Sequence, residues 1–476
     1  MLALKRPFSP ALHITLRILF VLLFLAAIVL RVSLYNVQTT DYTFFLSSWY
    51  DFIKNNGGFA AFKSNFSNYN VPYLYLLALT TYLPISKLVA IKTLSILFDA
   101  VLALFTYLIL DQHYKHSYIP IIGVLVVLFA PTIFINSAAW GQADATYAAF
   151  CLGSLYFLLK DRPGWACTFF ALAISFKLQA VFFAPVLFVL LVKRKLPLKY
   201  LILIPLIFLL LLVPAFIAGR SAVSLLSIYP TQVITGGVGG GAAGGFSGGR
   251  TGGFTGGTGS FPGGTGGFRG GTGGFPGEGT GRFTGGAGGF RGGTGGGGFS
   301  SSSYTYNAPS FYQWLPANAP AYWKWVGIIL AGLLVLAVAA LAWRSKQKIT
   351  GAMLIKIALV FALALPFLLP EMHERYFYLA DVLSIIYAFY FPRYFFVAIL
   401  VQVCSLLSYA PYFLNTQIVG LSYVAFAELV LSIIIFVDLV LALYPDIRKK
   451  IEVVSAKVDE VPPNVKDEDV SWWAPR

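Results

Sequence analysis

Charged residues are scarce in this chain, and their scarcity determines the broad class of protein. Of its 476 residues only 11% are charged, whereas 58% are hydrophobic and the mean hydropathy is +0.75. Soluble domains carry roughly 25% charged residues, so no water-soluble domain long enough to stand alone is expected. Because lipid offers the backbone no hydrogen-bond partners, segments that cross it fold as helices. The composition predicts an all-α polytopic membrane protein.

Cysteine is scarce as well, and the common catalytic and metal-binding signatures are missing. The three cysteines lie in apolar stretches without a CxxC pair, which predicts buried thiols and no disulfide framework. No HExxH or P-loop sequence occurs. Asp111, His113 and His116 carry metal-ligating side chains, but the order of the apolar runs predicts that they face the cytoplasm, away from every other candidate. We expect no metal site there.

Acidic residues are few, yet the resulting net charge of +15 does not indicate binding to nucleic acid. The basic residues cluster in short loops between apolar runs, as the positive-inside rule expects of cytoplasmic loops. No basic–aromatic nucleic-acid motif accompanies them. The excess of Lys and Arg is therefore a signal of orientation in the bilayer.

Long apolar runs are abundant, and they predict about twelve transmembrane helices, with eleven to thirteen as the range. A helix needs about 20 residues to cross a bilayer, and several of the runs are shorter. The runs cover 12–33, 92–110, 119–139, 145–159, 165–176, 179–192, 199–218, 323–343, 352–370, 377–391, 394–410 and 421–444.

The segment 71–90 decides the predicted topology. If the basic N-terminus is cytoplasmic and 71–90 does not cross, nearly every basic loop is also cytoplasmic. If 71–90 crosses, the basic residues 193–195 lie outside, against the rule. We therefore interpret 71–90 as a juxtamembrane or re-entrant piece. The same topology puts the first outer loop, 34–91, and three later polar turns on one outer side.

This topology divides the chain into four regions. They are a transmembrane module 1–218, an external loop 219–322 with a Gly-rich insert 236–300, C-terminal helices 323–444 and a charged cytoplasmic tail 445–476. The insert repeats the pattern Thr-Gly-Gly-Phe. Such a density of glycine cannot bury a core and loses much backbone entropy on folding, which predicts disorder.

Two of the outer polar segments carry acids. Asp41 lies about ten residues beyond the first run, where a carboxylate can meet water and substrate and act as a general base. The alternative is a helix cap. Trp140, Gln142 and Asp144 form a compact polar turn, in which the indole suits stacking on a sugar and the amide offers donors and an acceptor. The alternative there is a capped turn that ends a span.

The other two outer segments carry bases. Lys177 and Gln179 interrupt an apolar hairpin, where the amine either contacts an anion such as a lipid phosphate or extends to the interface. His373 and Arg375 lie between two apolar runs, and the planar guanidinium of Arg375 suits an oxyanion. The neighbouring acids of that run, Glu371 and Glu374, are expected to be local partners of Arg375.

One acid lies inside a predicted span. Asp99 is about two turns from the outer end of the run 92–110. We interpret it as a structural polar contact, with Lys92 as a candidate partner. The alternative is that it lines a cavity.

Taken together, these motifs resemble the GT-C superfamily of membrane glycosyltransferases, which use polyprenyl- or dolichyl-phosphate-linked sugars. The resemblance is closest to bacterial relatives of the second mannosyltransferase of GPI-anchor assembly. It covers most of residues 10–440 apart from the Gly-rich insert, which departs from the family pattern. The segments that carry it are Asp41, Asn70-Val71-Pro72-Tyr73-Leu74-Tyr75, Trp140-Gly141-Gln142-Ala143-Asp144, Phe176-Lys177-Leu178-Gln179 and Met372-His373-Glu374-Arg375-Tyr376.

The resemblance implies a GT-C-like helix bundle in the plasma membrane of a bacterium and an inverting hexosyl transfer, with mannose as the favoured sugar, on the extracytoplasmic face. Asp41 would be the catalytic base. Trp140, Gln142 and Asp144 would form the second acidic motif, which handles the acceptor. The residues that would bind the lipid phosphate are Lys177, Gln179, His373 and Arg375.

The partners implied are a polyprenyl- or dolichyl-phosphate sugar, a glycan, lipid or protein acceptor, and the bilayer. Metal use varies among the relatives, and the predicted outer segments of this chain carry lone acids without an Asp-x-Asp pair, so we expect no required metal or other cofactor. The alternative function is a transporter or flippase of a lipid-linked or anionic substrate. We find no internal repeat, however, and the ionisable groups gather at one predicted surface, whereas transporters place them near the midplane.

Overall fold

Helices account for most of the residues that the computed structural model describes, which are 10–234, 304–316, 318–447 and 449. The α-helices are α1 Pro10–Ser33, α2 Ser47–Asn55, α3 Val71–Thr80, α4 Lys87–His113, α5 Ile119–Phe129, α6 Pro131–Phe134, α7 Asp144–Leu159, α8 Pro163–Phe176, α9 Ala184–Val192, α10 Leu203–Ile217, α11 Ala222–Leu226, α12 Ile228–Ile234, α13 Tyr322–Arg344, α14 Gly351–Leu368, α15 Tyr378–Tyr390, α16 Phe395–Leu414 and α17 Leu421–Leu443.

Shorter elements connect or extend these helices. Two strands of two residues, β1 Thr305–Tyr306 and β2 Met372–His373, pair in parallel. The π-helical turns are Tyr42–Leu46 and Ile135–Trp140. The 3-10 turns are Gly58–Lys63, Leu178–Phe183, Leu198–Ile202, Phe311–Trp314, Glu374–Phe377 and Pro392–Tyr394.

Seven helices in the described residues are long and apolar enough to cross a bilayer, or eight if one bent pair counts as a span. The seven are Pro10–Ser33, Lys87–His113, Leu198–Ile217, Tyr322–Arg344, Gly351–Leu368, Pro392–Leu414 and Leu421–Leu443. The bent pair, Ile119–Phe129 with Pro131–Trp140, turns by 50°. The protein is therefore an all-α polytopic membrane protein, as the composition predicts. All twelve predicted runs fall on helical segments, but the number of crossings stays a prediction.

The segment 71–90 contains one short helix and the start of a long one. Asn70 Oδ1 accepts a hydrogen bond from the Val71 amide at 3.0 Å, and Pro72 occupies the first turn of α3. The ten residues of α3 extend only about 15 Å, half of a hydrocarbon core. Ser86 then caps α4, so Lys87 belongs to that spanning helix.

The first outer loop has an apolar core of its own. Buried side chains of 42–78, among them Trp49, Phe62 and Tyr73, pack with Leu212 of α10 and Leu225 of α11. A larger cluster joins the membrane helices, and α14 is its most enclosed member, with 78% of its apolar window buried. By contrast α1 lies at the periphery, with 6% of its window buried.

The buried acid of α4 makes a structural contact, but its partner differs from the one the sequence suggests. Arg31 Nε donates to Asp99 Oδ2 at 2.8 Å, and Ser137 Oγ donates to the same oxygen at 2.5 Å. Lys92 instead donates to the carbonyls of Leu34 and Val37 at 2.8 and 2.5 Å. Lys92 is thus held by the turn that follows α1, so the predicted pairing with Asp99 is wrong.

Two predictions fall outside the part of the chain that the structure describes. They are the disorder of the Gly-rich insert 236–300 and nearly all of the charged tail 445–476.

Candidate functional site

Four ionisable residues that are far apart in the sequence meet at one end of the helix bundle. Asp41 follows α1, Asp144 opens α7, Lys177 follows α8, and Arg375 lies between α14 and α15. Arg375 Nη1 is 3.6 Å from Asp41 Oδ2, and Arg375 Nε is 3.7 Å from Asp144 Oδ2. Lys177 forms an ion pair with Asp144 Oδ1. The structure thus brings the two predicted acids and the two predicted bases into one group, which we call the polar cluster.

The carboxylate of Asp41 accepts hydrogen bonds from other side chains and does not cap a helix. Its Oδ2 accepts hydrogen bonds from Trp140 Nε1 at 3.0 Å and from Gln142 Nε2 at 2.5 Å. Its side chain makes no capping hydrogen bond to the π-helical turn that it precedes, so the alternative of a helix cap does not fit. The side chain keeps 20% of its exposure, which makes it the most accessible acid of the polar cluster. Both donors fall on Oδ2, and no side-chain donor to Oδ1 is present in the described residues.

The turn around Gly141 positions both of these donors. Gly141 has φ +75°, a left-handed conformation that side chains other than glycine rarely adopt, and it ends the π-helical turn. The chain then reverses, so that Trp140 and Gln142 both point at Asp41. A π-helical turn before a functional residue is a common arrangement.

Trp140 has a different role from the one its sequence position suggests. Its side chain is fully buried, and its ring stacks on Tyr412 at 4.3 Å with an interplanar angle of 26°. Tyr409 and Phe413 pack edge-on against it. The prediction that this indole stacks on a sugar is therefore wrong, because protein rings already cover it. Trp140 orients Asp41 instead.

Asp144 is the buried acid of the polar cluster, and it is fully paired. Its side chain has no exposure, and Asn136 Nδ2 donates to Oδ2 at 2.9 Å while Lys177 Nζ donates to Oδ1. It makes no capping bond at the start of α7. Removing a charge from water is costly unless a partner and hydrogen bonds replace the solvent, and Asp144 has both.

Lys177 reaches Asp144 because helix α8 ends just before Lys177. α8 ends at Phe176, and Lys177 is extended with φ −151° and ψ 136° before a 3-10 turn begins. The amine has 7% side-chain exposure and lies 5.6 Å above the ring of Tyr69. Lys177 is therefore held inside the protein, and the alternative that it extends to the membrane interface does not fit.

Among the charged residues of the polar cluster, Arg375 has the weakest contacts with its partners. Its distances to Asp41, Asp144 and Glu374 are 3.6, 3.7 and 3.8 Å, longer than the 2.7–2.9 Å of a charge-assisted hydrogen bond. Its Nε is buried without a hydrogen-bond partner in the described residues. Because Asp41 and Asp144 outweigh burial, the pKa of Arg375 is raised well above its ordinary value, and the guanidinium stays charged.

Burial shifts the pKa values of the two neighbours of Arg375 in opposite directions, and in each it favours the neutral form. Burial, together with the charges of Arg375 and Lys177, lowers the pKa of His373 well below its ordinary value, so the imidazole is neutral. Burial raises the pKa of Glu374 to about 7, although Arg375 opposes the shift. His373 can therefore offer a hydrogen bond but no positive charge.

Three polar residues stand apart from the polar cluster or have other partners. Gln179 makes no hydrogen bond to the cluster, and its Oε1 is buried without a partner in the part of the chain described. Glu371 pairs with Lys324 rather than with Arg375. Asp51, the other acid of the first outer loop, has 49% exposure and contacts Lys87 at 2.6 Å. Glu374 is near Arg375, as the sequence suggests.

Three cluster residues have no separate signal in the sequence. Tyr412 accepts hydrogen bonds from Thr40 Oγ1 and from the Asp41 amide. Asn136 donates to Asp144, and Tyr69 donates to Gln142 Oε1 at 3.2 Å. Tyr412 and Asn136 lie in largely apolar runs, and Tyr69 lies between two asparagines in the loop before α3. Only the fold reveals that Tyr412, 371 positions after Asp41, touches it.

The described residues contain no group of three or more His, Cys, Asp or Glu side chains that could hold a metal ion. None of the family models compared with this sequence matches it, and neither does any of the curated proteins. The functional argument therefore rests on the polar cluster itself.

Proposed function

We propose that this protein is a membrane glycosyltransferase that moves a hexose, with mannose favoured, from a polyprenyl phosphate to an acceptor hydroxyl with inversion. The observation that carries the proposal is the oriented, partly exposed carboxylate of Asp41 beside the charged guanidinium of Arg375. A displacement at an anomeric carbon uses a base for the attacking hydroxyl and a cation for the leaving phosphate. The extracytoplasmic face is the proposed location.

Asp41 is the proposed base. Its Oδ1 takes the proton of the acceptor hydroxyl while the hydroxyl oxygen forms a bond to the anomeric carbon. The hydrogen bonds from Trp140 and Gln142 fix the carboxylate and draw electron density to Oδ2. They restrict its orientation, which reduces the entropy lost on reaching the reactive geometry.

Arg375 is the proposed partner of the leaving phosphate. As the bond between the anomeric carbon and the phosphate oxygen breaks, its electron pair stays on that oxygen and negative charge develops there. A guanidinium whose carboxylate contacts exceed hydrogen-bond length can turn two N–H groups to a phosphate without breaking a strong pair. Neutral His373 adds a hydrogen bond in this arrangement, whereas Lys177 acts through Asp144.

Sugar transfer by the purified protein tests the proposal. The protein is incubated with a polyprenyl-phosphate mannose and a panel of lipid, glycan and peptide acceptors, and transferred label is measured. We expect transfer by the wild-type chain and a loss of at least about 100-fold for Asp41→Asn, the range of general-base catalysis. The matched control is Asp51→Asn, an acid of the same loop outside the polar cluster, which should keep full activity.

Two outcomes would contradict the proposal. Full transfer by Asp41→Asn would show that Asp41 is not the base. Unchanged binding of polyprenyl phosphate by Arg375→Ala would show that Arg375 does not bind the phosphate. Arg393→Ala, at an exposed arginine, is the control for the second measurement. Movement of the lipid across a vesicle membrane without sugar transfer would favour the transporter instead.

A further inference from the structure

A cavity of about 250 Å³ lies among the ends of α7, α8 and α14, away from the polar cluster. Helix α7 begins at Asp144 of the polar cluster and ends at Leu159, which lines the cavity. Helix α8 begins at Pro163, also on the cavity wall, and ends just before Lys177. The 16 residues of α7 extend about 24 Å. The cavity is therefore a separate place at the other end of the bundle, and it does not depend on the proposed transfer reaction.

Charged side chains line this cavity, and two cations stand against one acid. Arg162 and Lys195 line it together with Asp161. In the part of the chain that the structure describes, no acid oxygen lies within 4.0 Å of a side-chain nitrogen of either cation. Neither cationic side chain makes a hydrogen bond there. Both cations are therefore available to an anion that enters the cavity.

The predicted orientation in the bilayer explains some of the charge at this end, but not the cavity. Basic residues in cytoplasmic loops orient a membrane protein and need no ligand. Arg194 fits that explanation, because it is exposed and does not line the cavity. Arg162 and Lys195 instead border one enclosed space. Its volume is just below the roughly 300–1,000 Å³ of sites for drug-sized molecules, so it suits a small polar group.

The start of α14 adds hydrogen-bond donors beside the two cations. Thr350 and Gly351 line the cavity, and Thr350 Oγ1 accepts a hydrogen bond from the Met353 amide at 3.3 Å. The amides of Gly351 and Ala352 lie in the first turn, where no carbonyl of the helix is placed to accept from them. The positive end of the helix dipole also favours an anion.

We propose that this cavity binds a phosphate group, with Arg162 and Lys195 as its cationic partners. A guanidinium offers parallel N–H groups to an oxyanion, and an amine supplies a compact positive charge. Membrane lipids and soluble phosphate esters both carry a phosphate group. Basic pockets between membrane helices on the cytoplasmic side are typical sites for anionic lipid head groups, so a lipid is the first probe.

Thermal unfolding of the purified full chain in a phosphate-free maltoside detergent tests the site and identifies the source of the phosphate. Separate samples receive phosphatidic acid, diacylglycerol with the same acyl chains, or inorganic phosphate, at constant ionic strength and pH. A ligand that binds only the folded state raises the unfolding temperature. We expect a rise of about 2 °C or more with phosphatidic acid and none with diacylglycerol. A rise of the same size with inorganic phosphate would support the same site with a soluble ligand.

Arg162→Gln and Arg194→Gln remove the same charge from two exposed positions at the same end of the bundle. Only Arg162 lines the cavity, and its side chain makes no capping hydrogen bond to α8, so we expect both variants to fold. Their unfolding temperatures without ligand check this. Arg162→Gln should lose most of the phosphate-dependent rise, as should Lys195→Gln, whereas Arg194→Gln should keep it.

Three results would overturn the phosphate site. The first is an unfolding temperature that neither phosphatidic acid nor inorganic phosphate raises. The second is an equal rise with diacylglycerol, which would show a response to the acyl chains. The third is an equal loss in Arg162→Gln and Arg194→Gln, which would show general attraction to a basic surface.

Discussion

The hydroxyl and the ring of Tyr412 both help to hold Asp41, the proposed base, in place. The hydroxyl accepts hydrogen bonds from Thr40 Oγ1 at 2.8 Å and from the Asp41 amide at 3.0 Å. The ring stacks on Trp140, which donates to the carboxylate of the same Asp41. In the proposed reaction Tyr412 is thus a positioning residue, which acts through Asp41.

Tyr412→Phe keeps the stack and removes the two hydrogen bonds. We expect the rate constant for transfer to fall at least about fivefold, since a hydrogen bond contributes about 1 kcal/mol. The unfolding temperature should change little because the ring remains. Steady-state transfer kinetics check this, and Tyr423→Phe, at a tyrosine with 74% exposure, is the control. An equal loss of rate in both variants would contradict the positioning role.

Glu374 should give the protein a pH-dependent stability. Its pKa rises to about 7 on folding because it is buried, whereas an unfolded glutamate titrates near 4.3. Between these two values the folded protein holds a proton that the unfolded chain has released. The contribution of Glu374 to stability is therefore present below about pH 4 and is lost as the pH rises through about 7.

The comparison of wild type with Glu374→Gln measures that loss. We expect the unfolding temperature of the wild-type chain to fall relative to the variant between about pH 5 and about pH 8. Burial of His373 acts in the opposite direction below about pH 6.5, but it is common to both proteins and cancels in the difference. A constant difference between the two unfolding temperatures would mean that Glu374 does not titrate in this range.

For single residues, the sequence predicted which charged side chains belong to the site better than it predicted their partners. Asp41, Asp144, Lys177 and Arg375 were recognisable because charge is rare in an apolar chain. Their partners were not, since local spacing favoured Lys92 for Asp99, whereas the fold supplies Arg31 from another helix. Pairings between distant segments depend on packing, which composition does not report.

Among the elements, the break after α8 has the largest consequence for the polar cluster. Lys177 sits in extended conformation between a helix and a 3-10 turn, and its amine crosses to the first residue of α7. The Lys177–Asp144 pair therefore joins two neighbouring elements at the end that carries the site.

A double-mutant cycle on this pair tests that connection. Lys177→Met leaves the buried acid without its main partner and should cost about 3–5 kcal/mol of stability. Adding Asp144→Asn should recover part of that loss, because no unpaired charge remains. Unfolding of the two single variants and the double variant in detergent measures the coupling. Additive losses would contradict a direct ion pair.

The hydrophobic pattern predicted where the helices lie but not where a helix bends. Long apolar runs predicted helices at 92–110 and 421–444, and the structure has α4 and α17 there. The run 119–139 was predicted as one span, but the structure bends it by 50° at Ala130 before Pro131. Proline removes a backbone donor and disfavours helix at the preceding residue, so the bend has a local cause. Its angle depends on the neighbouring helices.

At the scale of the whole molecule, the predicted orientation is open to direct measurement. Asn56 is exposed in the first outer loop, and Lys346 is exposed beyond α13. The native cysteines are buried, so a membrane-impermeant maleimide reports only introduced thiols. We expect Asn56→Cys to be labelled in intact cells and Lys346→Cys only after permeabilisation. The reverse pattern would place the polar cluster on the cytoplasmic side.

The polar cluster is shared between two stretches of chain on either side of the Gly-rich insert. Asp41, Asp144 and Lys177 come before it, and Glu374 and Arg375 come after it. Strand β1, just after the insert, pairs with β2, which carries His373. Neither stretch contains the full set of charges, so a product that ended before residue 304 would lack the guanidinium that lies beside both acids.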